Sequence, residues 1–518
     1  MSSPHETEPT NAPVRPARTS RRFSEVVARE FTGPLAGAFE ACRRGLTDPR
    51  HSRLRVILLL GLAVRLVLAP LTSWGTDTVG FVHSGQILLY SGNPYSGGTW
   101  FNPPLAPYLA SPTMGAVTLL LGPGGLYRSL PFAVPAALTS WVPSVVPVPA
   151  ALLAWKIPLI LADLAGGLAL YYLVERHLAP GRGTLAAALW FLNPLTIWVS
   201  SVHGEVDGLA AAFAILALAA AAKRYWYWAG LLLSLSILAK GYTVVLVPVF
   251  VVGAVVVPGP WRAVLRRAVR PLAALALGIA TALAVFFEYL SETLDLLATH
   301  TTAPVTYGGL SVLAIFNPAS PKGTGSWAQY TNSAANAHLW LMTLQGFAAL
   351  SIVVAVVLLV VRRKSGPRPD LAEVRDLAIA CAIALAGTVL ANPVPNSENI
   401  DVLVAAGIAC ALAIDSTRYW AVVWGIVLSG FFQYWALLTP FAFFYPLATG
   451  LGPGAVTAVN SVSAAYEIDL LLRGSLWEVI GVVSGILLLA GVVLGLFELA
   501  RGVRTGRVRR AIPAESSA

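Results

Sequence analysis

The sequence predicts an all-α polytopic membrane protein, on three observations. Charged residues make up 12% of the 518-residue chain, where a soluble domain carries roughly 25%. Hydrophobic residues make up 56% and mean hydropathy is +0.71, more apolar surface than a water-soluble globule of this length could hide. The apolar residues are also gathered into runs close to the ~20 residues that a helix needs to cross a bilayer. A disordered chain would show the opposite balance, and three cysteines, Cys42, Cys381 and Cys410, exclude a disulfide framework. The net charge of +10 lies in short clusters between apolar runs, a pattern that sets topology and does not point to nucleic acid.

Residues 1–54 form a basic N-terminal segment without a long apolar run, expected to be cytoplasmic and partly disordered. From Arg21 onward it could lie on anionic lipid as an amphipathic helix, and no cleaved signal peptide is read there. Candidate spans follow at 55–73, 150–173, 184–201, 207–222, 271–290, 337–361, 376–392, 400–415, 419–437 and 475–500. Basic clusters stand before Ile57, at Arg176/Arg182, at Lys223/Arg224, at Arg262–Arg270, at Arg362–Lys364, at Arg418 and at Arg501–Arg510. Placing all of them in the cytoplasm requires an even number of crossings between neighbours. Only about 32 residues separate Tyr227 from Pro258, where two full spans would need about 40. A short hairpin near 227–258 is therefore expected, with Lys240-Gly241 near its tip. Gly permits such a break, and a lysine there is tolerable beside a wet cavity.

Counting that hairpin as two passes gives about twelve transmembrane passes with both termini cytoplasmic. The chain divides into a module at 55–290, a module at 291–500 and a basic tail at 501–518. The external segments are then the long first loop 74–149, and 201–206, 291–336, 392–399 and 438–474. Acids and histidines concentrate there and basic residues are few, so the working face is expected to be external.

Several residues in or beside these loops could carry chemistry. Asp77 stands just past the first membrane exit, ahead of an expected amphipathic stretch at 80–91; capping that helix is its plainer role. Lys156 and Asp163 are two helical turns apart and share a face. Charged groups at that depth face protein or water, so they either pair with other helices or serve a ligand. His203, Glu205 and Asp207 alternate along one turn, but no fourth metal ligand can be named, and no metal is expected. Lys240 either snorkels to the interface or faces a cavity. Glu398 and Asn399 either cap a late helix or read a ligand. Aromatics, acids and amides in 291–336 suit carbohydrate, and equally suit a membrane interface.

The order of these motifs resembles the GT-C superfamily of integral-membrane glycosyltransferases, which use polyprenyl-phosphate-linked sugars. Asp77 is followed by Gly92-Asn93-Pro94-Tyr95 and by Asn102-Pro103-Pro104-Leu105-Ala106-Pro107-Tyr108. That last segment is similar to loops of the dolichyl-phosphate-glucose-dependent glucosyltransferases and of the first GPI mannosyltransferase. Lys156-x6-Asp163, Asn193-Pro194, His203-Gly204-Glu205-Val206-Asp207-Gly208 and Lys240 with Leu246-Val247-Pro248 continue the pattern through about residue 260. The resemblance implies a GT-C-like fold and an inverting transfer of a sugar, mannose first, to a lipid or glycan acceptor on the external face of the membrane; Arg-over-Lys and Ala-rich usage points to a plasma membrane. Asp77 would be the base that takes the acceptor hydroxyl proton while the anomeric carbon gains oxocarbenium character. Lys240, Lys156 and Arg473 would stand near the donor phosphate, and His83, Tyr95, His203, Glu205, Asp207, Glu398 and Asn399 near acceptor or sugar. No cofactor is implied; membrane lipids and the lipid-linked donor are the partners, and nucleic acid is not. Asp77-Thr78 replaces the two adjacent acids of some relatives, and there is no DxD, so a helper carboxylate from Glu205 or Asp207 is left open. The alternative class is a secondary transporter or flippase of lipid-linked glycans, since broken helices with a buried lysine also suit transport.

Overall fold

The computed structural model describes residues 51–96, 102–130, 144–255, 261–302, 327–364, 370–392, 398–437, 442–473 and 476–511. Nearly all of the expected N-terminal segment, the middle of the 291–336 loop and residues 393–397 lie outside the described residues.

The described chain is nearly all helical, with one departure. Tyr127–Ser129 and Val145–Pro147 pair as an antiparallel two-stranded ribbon, Arg128 opposite Val146, inside the long first loop. That loop also holds a second apolar helix, Leu105–Leu121, packed through Ala110 and Met114. The described part of the first loop is therefore folded, and its buried residues join the core of the helical bundle.

Among the described residues, five helices are long and apolar enough to cross a membrane: Pro149–Leu178, Arg266–Val285, Leu341–Arg362, Ala372–Ala391 and Val479–Gly502. A sixth span arises if Gly183–Phe191 and Pro194–His203, bent by 46° at their junction, count as one. Five shorter apolar helices accompany them: Leu105–Leu121, Asp207–Ala222, Trp226–Ala239, Gly241–Val255 and Asn399–Ile414. The chain is an integral membrane protein, but by length alone these helices do not add up to twelve passes. Leu350, Val353 and Val357 on one long helix, and Val483, Ile486, Val493 and Phe497 on another, are exposed in rows that suit lipid.

The interior belongs to the shorter helices. Asp207–Ala222 is buried almost all round, as an alanine-rich helix can be, between Pro149–Leu173, Trp226–Ala239 and Asn399–Ile414. Trp226–Ala239 also crosses Trp261–Val285 in backbone contact. A Cβ on Gly230 would fall on the Leu275 carbonyl, and one on Gly278 on the Tyr227 carbonyl. Small residues permit such a crossing where lipid offers no hydrophobic drive to associate. Gly278→Leu is expected to pry the pair apart and cost about 3 kcal/mol or more. A melting temperature in detergent equal to wild type would show that the contact is dispensable.

The chain breaks at Lys240, whose backbone is extended between Trp226–Ala239 and the tight turn Gly241–Leu246. The expected interruption at Lys240-Gly241 is present, and both halves pack on Trp261–Val285.

Candidate active site

The site is built around the turn that joins two buried helices at residues 198–207. Asn193 stops one helix and starts the next: its side-chain oxygen accepts from the Leu195 N–H at 2.9 Å, and Pro194 fills the first position. The chain then widens into a π turn, Trp198–His203, a geometry common at functional positions. Gly204 ends it at φ 85°, where a Cβ would also meet the Lys156 stem at 3.0 Å.

Two buried cations hold this turn. The Lys156 ammonium is fully buried and donates to four carbonyls: Ala69 at 3.2 Å, Thr72 at 2.7 Å, Ser201 at 2.9 Å and Val202 at 2.9 Å. It thereby ties the end of the Ser52–Leu68 helix to the π turn. Arg65 donates from Nε to Asp163 Oδ2 at 2.9 Å, and also to the Phe191 and Gly61 carbonyls and the Thr196 hydroxyl. Lys156 and Asp163 thus share a helix face but serve different neighbours.

Above this base the predicted site residues converge. The Thr78 hydroxyl accepts from the Trp74 N–H at 2.7 Å and donates to the His203 carbonyl at 2.9 Å, which fixes the start of the Gly75–Ser91 helix on the turn. Asp77, on that helix, brings Oδ2 to 3.5 Å from His203 Nε2, and Glu205 Oε2 stands 4.0 Å from the same nitrogen. The His203 ring is buried, stacked on Trp74 at 4.7 Å and beside Phe81 at 6.0 Å. Asp77 is 51% exposed while Glu205 and Asp207 are almost wholly buried, so of these three Asp77 is the carboxylate within reach of an incoming molecule.

The Lys240 ammonium lies 2.9 Å from Glu205 Oε1 and 2.9 Å from Asp207 Oδ2. Asp207 Oδ1 accepts from the Tyr242 hydroxyl and from the Asn399 amide at 3.3 Å, and Glu205 Oε1 also from Asn102 at 3.4 Å. Lys240 is therefore the centre of a closed clamp between two carboxylates. Tyr95 reaches the site at one remove, donating to the Asn102 carbonyl at 3.0 Å. His83, half-buried, lies off the face on which Asp77, Thr78 and Phe81 meet His203. Arg473 ends the Pro453–Arg473 helix, and its side chain is outside what is described.

Glu398 sits just before the Asn399–Ile414 helix, within electrostatic reach of His203, Asp207, Glu205 and Lys240. Burial pushes its carboxyl up to about 7; Asp207 and Glu205 add to the rise, while His203 and Lys240 oppose it. The folded chain therefore keeps a proton that the unfolded chain releases near 4.5. This contribution to stability falls as pH rises from about 4.5 to about 7 and is flat above. Glu398→Gln should abolish that slope, which denaturation at a series of pH values would measure. An unchanged slope would assign it to another group.

Tyr242, Asn102, Trp74 and Arg65 were not singled out from the sequence. Arg65 had a readable signal, a lone cation inside an apolar helix. Tyr242 had none beyond standing two residues from Lys240. Among the described residues, no three His, Cys, Asp or Glu side chains are arranged to hold a metal ion.

A family model for the GPI transamidase subunit PIG-U matches residues 69–361, more than half of the chain. The chain belongs to the PIG-U family. The matched region holds Asp77, the His203–Asp207 turn and Lys240, and stops short of Glu398 and Asn399. No curated protein matches the chain at a significant level. Among solved structures, ArnT from Cupriavidus metallidurans bound to undecaprenyl phosphate is similar at 16% identity, over 87% of this chain and 77% of that one, with a TM-score of 0.40.

Proposed function

We propose that this PIG-U family member is an inverting glycosyltransferase that moves a sugar, mannose first, from a polyprenyl-phosphate donor to a lipid or glycan acceptor on the external face of the membrane. The observation that carries the reading is the Asp77–His203 pair: a carboxylate half open to solvent, 3.5 Å from an imidazole held between aromatic rings. An Asp 77 carboxylate oxygen takes the acceptor hydroxyl proton as that oxygen attacks the anomeric carbon. The bond from that carbon to the phosphate oxygen breaks on the opposite face, its electron pair leaves with the polyprenyl phosphate, and the configuration inverts. His203, held between Trp74 and Phe81, fixes the position of the Asp77 carboxylate at 3.5 Å. Glu205, Asp207, Asn399 and Asn102, bonded to one another and to Lys240, form the wall behind Asp77, and would meet sugar hydroxyls only if that clamp opens.

A second reading has its own observation. Lys240 is already held by two carboxylates and Lys156 is enclosed by carbonyls, so neither is presented to a phosphate. The acidic pocket would then hold a glycan without transferring it, and the chain would act as a subunit beside an enzyme, as the family's name describes for PIG-U.

The test incubates the purified full chain in lipid discs with radiolabelled polyprenyl-phosphate sugars and a membrane lipid extract. Labelled product of inverted anomeric configuration supports transfer. Retention of labelled glycolipid with no product from any donor supports the holding role.

A further inference from the structure

Beneath the clamp lies a pair of carboxyl groups that neither reading uses. Asp401 is in the first turn of the Asn399–Ile414 helix and is fully buried; neither of its carboxyl oxygens has a hydrogen-bond partner among the described residues. Asp163 is equally buried and bound to Arg65. The two acids converge over Gly208. The position where a Cβ on Gly208 would start lies 2.9 Å from Asp163 Oδ1 and 3.1 Å from Asp401 Oδ2.

Charge decides what this arrangement must contain. The charged groups that act on Asp401 are Asp163 and Asp207, both acids, and Arg65. Arg65 is the one cation among them, and its Nε is already bonded to Asp163. Asp207 in turn is matched by Lys240. An unpaired carboxylate in this interior would lose its hydration with nothing in exchange, and buried groups in that position neutralise instead. Asp163 already has the guanidinium as its partner, which leaves Asp401 as the acid without one among the described residues and so the one to hold a proton.

We propose that Asp401 is a buried, protonated carboxylic acid at neutral pH, and that this proton allows the Asn399–Ile414 helix to seat against Asp207–Ala222. The seating matters to the site. The same helix carries Asn399, which donates to Asp207, the acid that pairs with Lys240. Ionised Asp401 would set a third negative charge against Asp163 and Asp207 and push the two helices apart at the end where the clamp is made. Gly208 leaves room for the two carboxyl groups, which a side chain there would displace. The proposal stands independently of whether the chain transfers or only holds a sugar.

Infrared spectroscopy of the full chain in lipid discs tests it. At a pH well above the value of about 7 at Glu398, exposed carboxyls are ionised, so a carbonyl band from a protonated carboxyl isolates buried acids. The expected result is such a band in wild type, shifted when the protein is made with carboxyl-labelled [13C]aspartate and lost in Asp401→Asn. Asp401→Asn should also melt within a few degrees of wild type, whereas Asp163→Asn, which strands Arg65, should melt far lower. A wild-type spectrum without the band overturns the proposal, and would fit a bound cation in place of the proton. A band that labelled aspartate does not move, or that survives in a folded Asp401→Asn protein, overturns it as well. The labelling result reads wild type alone and holds even if the variant does not fold.

Discussion

Lys156→Met is expected to yield a chain that fails to accumulate in the membrane or, once solubilised, melts far below wild type. Methionine keeps the length and most of the packing of the lysine stem, so the change isolates the ammonium. That group shares its three N–H donors among four carbonyls from two separate segments, Ala69 and Thr72 on one side and Ser201 and Val202 on the other. Each buried acceptor left unpaired costs about 1–3 kcal/mol, and relaxation relieves only some of them. A net loss on the order of 3–5 kcal/mol follows, comparable with removing one partner of a buried ion pair. The expected role at a donor phosphate makes a different prediction. A lysine serving only the donor would leave the melting temperature in place and weaken donor binding. Thermal unfolding followed by size-exclusion fluorescence separates the two outcomes. A Lys156→Met protein within a couple of degrees of wild type would return this lysine to the ligand.

The same contrast explains what the sequence could and could not disclose. Hydropathy located the apolar helices because the bilayer acts on each segment locally, and the break at Lys240 followed from a segment too short for two spans. The His203–Asp207 turn was legible because acids and histidines beside an apolar run have few structural uses. Partner choice was not legible. Arg65 meets Asp163 across 98 residues, Lys156 meets carbonyls that every residue owns, and Lys240 meets two carboxylates 35 and 33 positions away. Composition shows that a buried cation needs a partner, but only the packing of helices selects which. Hydropathy does not fix the pass number, for a related reason. Helices such as Asp207–Ala222 and Asn399–Ile414 are apolar because other helices surround them, and hydropathy cannot tell that environment from lipid. The folding of the first loop was not legible either: Leu105–Leu121 and the ribbon bury their apolar residues against distant helices that the loop sequence does not name.

Asp77→Asn carries the largest expected effect on activity. Asparagine has the same shape and cannot take a proton, and at 51% exposure the residue contributes little to packing, so the variant should fold and melt as wild type. General-base catalysis typically supplies about 10²–10⁴ in rate, and kcat for sugar transfer should fall by that factor with KM nearly unchanged. Asp77→Glu should recover part of the rate, since a carboxylate returns at a shifted position. If instead Asp77→Asn transfers sugar at the wild-type rate, the half-exposed carboxylate is not the base. The buried Glu205 and Asp207, each bound to Lys240, would then have to reopen their clamp to serve, and rate would depend on Lys240→Met far more than on Asp77.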